Sequence, residues 1–112
     1  MTSHITTHVL DTARGIPAAG ISVSLAALAD GSVIGSGVTN QDGRITELGP
    51  DVLPGGDYRL TFDVADYLAA DGGGRTGFFR TVTIDFRTED GARHYHVPLL
   101  LSPFGYTTYR GS

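Results

Sequence analysis

Three residue types are missing from this sequence. The chain of 112 residues has no cysteine, no tryptophan and no lysine, and its one methionine is Met1. Without cysteine it can form neither a disulfide nor a thiolate metal site. Its eight basic residues are all arginines, and they stand against 12 acidic residues for a formal net charge of −4. A chain of this charge lacks the concentrated basic face that nucleic acids bind, so we expect no nucleic-acid partner.

Long hydrophobic runs are also missing. No apolar stretch approaches the roughly 20 residues that a membrane-spanning helix needs, so we expect no membrane partner. The first ten residues, MTSHITTHVL, lack the basic and apolar regions of a signal peptide, which favours a cytoplasmic location. Because domains typically contain roughly 100–150 residues, the sequence predicts one domain over residues 1–112.

The dominant pattern in the chain is an alternation of apolar and polar residues. In the segment 58–64, Tyr58, Leu60 and Phe62 alternate with polar residues, which is typical of a strand with one buried face. In 78–87, the same pattern places Phe78 and Val82 on the buried face. Strands are predicted at 4–11, 21–28, 32–39, 58–64, 78–87, 93–101 and 105–111.

Glycine-rich turns separate these segments. Asp90-Gly91 lies between two alternating runs and predicts a hairpin. The alanine-rich segment 64–71 predicts one short helix, and the glycines of 72–74 would end it. Many short strands with a single helix predict a β-sandwich.

The four histidines are confined to the two terminal strands. His94 and His96 share one face because they are two residues apart in a strand. If His8 and His96 lie on neighbouring strands, they form a pair suited to general-base chemistry near neutral pH. With a third histidine, the pair would instead suit zinc. A third alternative is that the histidines are exposed to solvent and have no function. The residues alone leave all three alternatives open.

The chain end is rich in functional groups. Residues 102–112 carry aromatic and hydroxyl side chains and Arg110, whereas terminal residues are usually nondescript. This composition is consistent with a polar edge strand or with part of a functional site.

Separated motifs carry a family resemblance. They are ITTHVLDTARG at 5–15, TNQDGR at 39–44, and HYHVPLLLSP at 94–103 with the closing YRGS at 109–112. The sequence resembles the 5-hydroxyisourate hydrolase family, the transthyretin-related enzymes of urate degradation, over essentially its whole length. One departure is Arg80, where the family often has proline after two phenylalanines; it lies outside the motifs.

The resemblance implies a mainly β, transthyretin-like (prealbumin-like) sandwich of two four-stranded sheets with one short helix. It also implies a homotetramer, a dimer of dimers, with active sites in a channel between the dimers. The substrate would be a purine-derived small molecule, 5-hydroxyisourate, whose six-membered ring is opened at an amide bond. The family's functional residues correspond here to His8, Arg44, His96, Tyr109, Arg110, Gly111 and Ser112.

These residue types suit that reaction. We expect His96 to be the general base and His8 to position the water or the ring, although the sequence does not settle which histidine is the base. Arg44 and Arg110 would hold ring oxygens and nitrogens. Hydrogen bonds would come from Tyr109 and from Ser112, which we place among the catalytic residues. Hydrolysis involves no redox step, so we expect no cofactor. We also expect no metal, because the histidines would act as a base and not as ligands.

Two other functions fit a sandwich of this kind. A transthyretin-type carrier of small ligands would keep the fold, but a carrier of apolar ligands would favour an apolar lining over this polar set. A structural β-sandwich module of an adhesin has similar turns. The lysine crosslink that such modules often contain is impossible here, because the chain has no lysine.

Overall fold

The computed structural model describes residues 3–70, 77–91 and 93–111. Its secondary structure is mostly strand, with a single short helix in the described part of the chain. In chain order, the elements are β1 (Ile5–Asp11), β2 (Ile16–Pro17), β3 (Ser22–Ala27), β4 (Val33–Val38), β5 (Arg44–Ile45), β6 (Gly56–Asp63), α1 (Ala65–Ala69), β7 (Thr81–Thr88), β8 (Tyr95–Ser102) and β9 (Gly105–Thr108). They form two sheets, so the predicted sandwich with one short helix is confirmed.

The first sheet is organised around β1. One edge of β1 pairs in parallel with β8, which in turn pairs antiparallel with β9. The other edge of β1 pairs antiparallel with the two-residue strands β2 and β5. This sheet therefore has five strands where four were expected. Strands of two residues are too short to produce an alternating pattern, which is why the sequence did not reveal them.

The second sheet has the order β4-β3-β6-β7, and all its neighbours are antiparallel. The alternating residues of β6 behave as predicted, since Tyr58, Leu60 and Phe62 are buried and the intervening Arg59 is exposed. The inward side chains of both sheets form one hydrophobic cluster. The single domain over residues 1–112 stays a prediction.

The predicted strand at 78–87 is wrong at its beginning. β7 begins at Thr81, and Phe78 is 75% exposed rather than buried. The reason is that Thr81 pairs with Asp63, the last residue of β6, after which the chain turns into α1. The Phe78 amide therefore finds another partner and donates to the Pro103 carbonyl at 2.7 Å.

The hairpin predicted at Asp90-Gly91 is also wrong. β7 belongs to the second sheet and β8 to the first, so this turn crosses between the sheets. The turn chemistry itself is present, because Gly91 has a φ of 124°. The Asp90 carboxylate accepts a hydrogen bond from the Gly55 amide at 2.7 Å and ties the crossing to the loop before β6.

Helix α1 is attached to the first sheet by a partly buried polar contact. The Tyr67 hydroxyl donates to Oδ2 of Asp11 at 2.8 Å, and the Asp11 side chain is buried. Burial and this hydrogen bond raise the pKa of Tyr67 to about 12. The glycines of 72–74, which were expected to end the helix, lie outside the described residues. In the described part of the chain, no helix is long and apolar enough to cross a membrane.

The Tyr67–Asp11 contact predicts a stability effect. Tyr67→Phe should lower the free energy of unfolding by about 1–3 kcal/mol, because it removes a donor from a buried carboxylate. Urea unfolding at matched protein concentration measures the change. Tyr106→Phe is the control, since Tyr106 is 41% exposed and keeps its ring contact with Phe79. Equal stability of the two variants would contradict the prediction.

Candidate active site

Three of the expected functional residues lie on one face of the first sheet. Along β1, Thr6 pairs with His96 of β8, and His8 pairs with Pro98. On the other edge of β1, His8 pairs with Arg44 of β5. Directly paired residues project to the same side of a sheet, and so do residues two apart in a strand. The structure therefore brings His8, Arg44 and His96 together on the face that points away from the core.

The turn before β5 places Arg44. The Asn40 side chain accepts hydrogen bonds from the backbone amides of Asp42 and Arg44 at 2.9 and 3.0 Å. Gly43 has a φ of 74°, and a Cβ at this position would collide with the Val9 carbonyl oxygen. The TNQDGR motif thus specifies a tight turn that lies against β1, and this turn delivers the arginine beside His8.

Burial and positive charge keep both site histidines neutral. Burial lowers the pKa of His96 below the ordinary value of 6.5, and Coulombic repulsion from Arg44, His94 and His8 opposes its protonation further. Burial and Arg44 also lower the pKa of His8, against an opposing hydrogen bond to the Asp42 backbone. Near pH 7 each ring therefore has a lone pair with which it can accept a proton.

Thr6 and His94 are neighbours of His96 to which the sequence assigned no function. The Thr6 hydroxyl oxygen lies 2.8 Å from Nε2 of His94 and 2.8 Å from Nδ1 of His96. The available signal was the alternation itself, because Thr6 is two residues from His8 and shares its face. The expectation that His94 and His96 project together agrees with this contact.

The chain end meets β8 next to His96. The Gly111 amide donates to the His96 carbonyl oxygen at 2.8 Å. A Cβ at Gly111 would lie 2.7 Å from Cδ2 of the His96 ring, so a larger residue would displace the imidazole. Glycine at this position lets the chain end pack against the candidate base.

The side chain of Arg110 lies elsewhere. Its Cζ atom is 4.8 Å from the centroid of the Tyr95 ring, and Tyr95 points into the core, on the face opposite His96. Tyr109 is 56% exposed and borders the same cavity of about 340 Å³ as Tyr95 and Arg110. Within one chain, Arg110 is thus separated from His8, Arg44 and His96. Ser112 lies outside the described residues.

The described side chains do not form a metal site. Within residues 3–70, 77–91 and 93–111, no group of three or more His, Cys, Asp or Glu side chains could hold a metal ion. His94 and His96 contact Thr6, and the charge of Arg44, which lowers the pKa of His8 and His96, disfavours a second positive charge beside them.

A two-sheet sandwich with one short helix and a histidine–arginine face defines a transthyretin-like protein with a polar site. The comparisons agree with this class. The family model described as the HIUase/Transthyretin family matches residues 5–111. The chain therefore belongs to the HIUase/Transthyretin family.

Individual relatives are similar over almost their whole length. In an alignment of 119 positions, the chain is 43% identical to the 5-hydroxyisourate hydrolase of Halalkalibacterium halodurans, and the alignment covers 100% of both chains. It is similar to the solved 5-hydroxyisourate hydrolase of Klebsiella pneumoniae, with a TM-score of 0.84, 39% identity, and 96% and 98% of the two chains covered. The transthyretin of Sparus aurata gives a TM-score of 0.86 at 34% identity, with 96% and 95% covered.

The charge of Arg44 predicts a shift in histidine titration. Arg44→Gln should raise the pKa of both His8 and His96, because a positive charge that disfavours their protonated forms is removed. The pKa of His4, which burial and His94 lower, should not change. NMR titration of the histidine ring protons measures all three. Arg59→Gln is the control, since Arg59 pairs with Asp85 in the second sheet at 2.7 Å. Unchanged titration of His96 in Arg44→Gln would refute the argument.

Proposed function

We propose that this protein hydrolyses 5-hydroxyisourate to 2-oxo-4-hydroxy-4-carboxy-5-ureidoimidazoline. The observation that carries the proposal is the convergence of His8, Arg44 and His96 on one sheet face. Relatives that are similar over their full length have the name 5-hydroxyisourate hydrolase, which supports the same substrate.

The site residues suit attack by water on a ring amide. His96, kept neutral by burial and Arg44, accepts a proton from water as the oxygen bonds to the ring carbonyl carbon. Arg44 stabilises the negative charge that develops on the carbonyl oxygen. The ring C–N bond then breaks, His96 returns the proton to the leaving nitrogen, and the new carboxylic acid ionises. In this assignment His8 orients the water or the ring.

The terminal residues complete the proposed site. Tyr109 and Ser112 add hydrogen bonds to the substrate, and Arg110 adds a second positive charge. For this role the Arg110 guanidinium has to leave the Tyr95 ring, which costs about 0.5–2 kcal/mol of cation–π contact. Hydrogen bonds from the Arg110 guanidinium to substrate oxygens would offset a cost of this size.

A second candidate function is the binding of a small ligand without hydrolysis. The similarity to the transthyretin of Sparus aurata favours it, because the same sandwich is present there. The polar face formed by His8, Arg44 and His96 argues against a carrier of apolar ligands, since such sites have mostly apolar linings. The assay distinguishes the two functions, because a carrier would not accelerate the loss of 5-hydroxyisourate.

The test is to generate 5-hydroxyisourate from urate and follow its ultraviolet absorbance with and without the protein. We expect the decay to accelerate in proportion to protein concentration. His96→Ala should reduce the rate by about 10²-fold or more, as expected for loss of a general base. Activity that survives treatment with a chelator would agree with a mechanism without metal. No acceleration by the unmodified protein would overturn the proposal.

The contact between Gly111 and His96 predicts a matched pair of variants. Gly111→Ala should lower kcat by about 10-fold to 100-fold, because the added methyl group displaces the His96 ring from its working position. Gly105→Ala is the control in the same terminal segment, since its Cβ would meet only Ser102 Oγ at an ordinary 3.7 Å. Equal kcat in both variants would show that the chain end does not position His96.

We also propose that the protein is a homotetramer, a dimer of dimers. β7 and β9 are terminal strands of their sheets, and such edges pair readily with another chain. Aromatic residues lie exposed near them: Phe78, Phe104 and Tyr106. The site face also points outward in one chain, so a second copy would supply the walls of a channel.

Light scattering tests this assembly. We expect a mass of four times the 11.8 kDa chain at micromolar concentration. Replacement of Phe104 by Asp in the exposed aromatic group should reduce the mass, whereas Val33→Asp, at an exposed position of β4, should not. A monomeric wild-type protein would contradict the proposal.

The cytoplasmic location stays a proposal, and fractionation of the source cells tests it.

A further inference from the structure

The strongest unassigned feature is the hydroxyl group that joins two histidines. Thr6 is only 4% exposed, and its oxygen is 2.8 Å from both His94 Nε2 and His96 Nδ1. A threonine hydroxyl has one proton, so it can donate to only one of the two rings, and a ring to which it does not donate must donate to it. The three groups therefore form a hydrogen-bonded chain with a direction.

Only one direction leaves His96 able to act as a base. His96 Nδ1 is committed to Thr6, so Nε2 is the nitrogen left for the attacking water. Nε2 has a free lone pair in the neutral ring only if the proton is on Nδ1. His96 Nδ1 then donates to the Thr6 oxygen, and the Thr6 hydroxyl donates to Nε2 of His94. In the opposite direction, Nε2 of His96 would carry the proton and could not accept another.

We propose that Thr6 is a positioning residue that holds His96 in the tautomer with its proton on Nδ1, and that His94 fixes the direction of the Thr6 hydroxyl by accepting its proton in a hydrogen bond. No proton has to move along this chain for the role, because both hydrogen bonds persist while Nε2 accepts and returns the water proton. The inference rests on the proposed function in one respect, that His96 is the base.

The surroundings of each residue suit these roles. Thr6 and His96 are paired residues of β1 and β8, so the sheet register places the Thr6 hydroxyl beside the His96 ring. His94 is exposed, and therefore its Nδ1–H can donate a hydrogen bond to water. The rings of His94 and His96 are 6.4 Å apart between centroids, too far for a direct hydrogen bond between them.

The first test uses no substrate. In protein labelled with ¹⁵N-histidine, NMR distinguishes protonated from unprotonated ring nitrogens. At a pH where the rings are neutral, we expect His94 and His96 both to have the proton on Nδ1. Thr6→Val should remove this preference in His96, and Thr6→Ser should retain it. A wild-type His96 with its proton on Nε2 would overturn the proposal even if the protein hydrolyses 5-hydroxyisourate.

The second test is kinetic. Thr6→Val should lower kcat by about 10-fold to 100-fold with little change in KM, because Thr6 acts through the base and not on the substrate. Thr6→Ser should stay within about threefold of the unmodified protein, since it restores the hydroxyl. His94→Phe should give a smaller loss, because it removes only the acceptor that orients Thr6. An unchanged kcat in Thr6→Val would overturn the positioning role while leaving the hydrolase intact.

The two proposals fail in different ways. If the unmodified protein does not hydrolyse 5-hydroxyisourate, the proposed function is wrong, and with it the catalytic meaning of the Thr6 contact, whatever the tautomer is. If it does hydrolyse the substrate and His96→Ala is inactive, the comparison of Thr6→Val with Thr6→Ser decides the further inference by itself.

Discussion

The in-register parallel pairing of β1 with β8 is the constraint on which the site depends. It joins strands that are about 90 residues apart in the chain, with Thr6 beside His96 and His8 beside Pro98. The buried Thr7 hydroxyl donates to the Val97 carbonyl at 2.6 Å and reinforces this register. A slip by one residue would turn every side chain of β1 to the opposite face. The register of β1 against β8 therefore determines both which side chains enter the core and which form the functional face.

The two faces of the first sheet perform different tasks. Inward residues such as Val9 and Leu99 are fully buried and join the hydrophobic cluster with the second sheet. Outward residues place imidazole, guanidinium and hydroxyl groups on the same face. Because the inner face supplies the packing, the outer face can hold groups chosen for chemistry. The same sandwich can then support different functions in one family, since function resides in the site and not in the fold.

Electrostatics gives the outer face its chemical character. Arg44 lies beside two histidines, and its charge lowers the pKa of each in addition to the effect of burial. The result is two neutral imidazoles next to a permanent cation, which combines proton acceptors with a stabiliser of negative charge. The Thr6 hydroxyl forms a hydrogen bond with Nδ1 of His96, so Nε2 is the nitrogen that can accept a proton from water.

The sequence by itself determined the strand-rich class, most of the buried positions and the residue types of the site. These properties are local: the alternation in β6 reports which residues face the core, and the Asn40–Arg44 turn needs its asparagine and glycine in order. Tertiary structure decided what depends on distant pairing. Phe78 is exposed because β6 has ended by that point, and Asp90-Gly91 crosses between sheets because β8 pairs with β1 instead of β7. The contact of Thr6 with His94 and His96, and the position of Arg110 against Tyr95, likewise require strand register and facing. Alternation tells which side chains share a face of one strand, but it contains no information about which strand lies beside it.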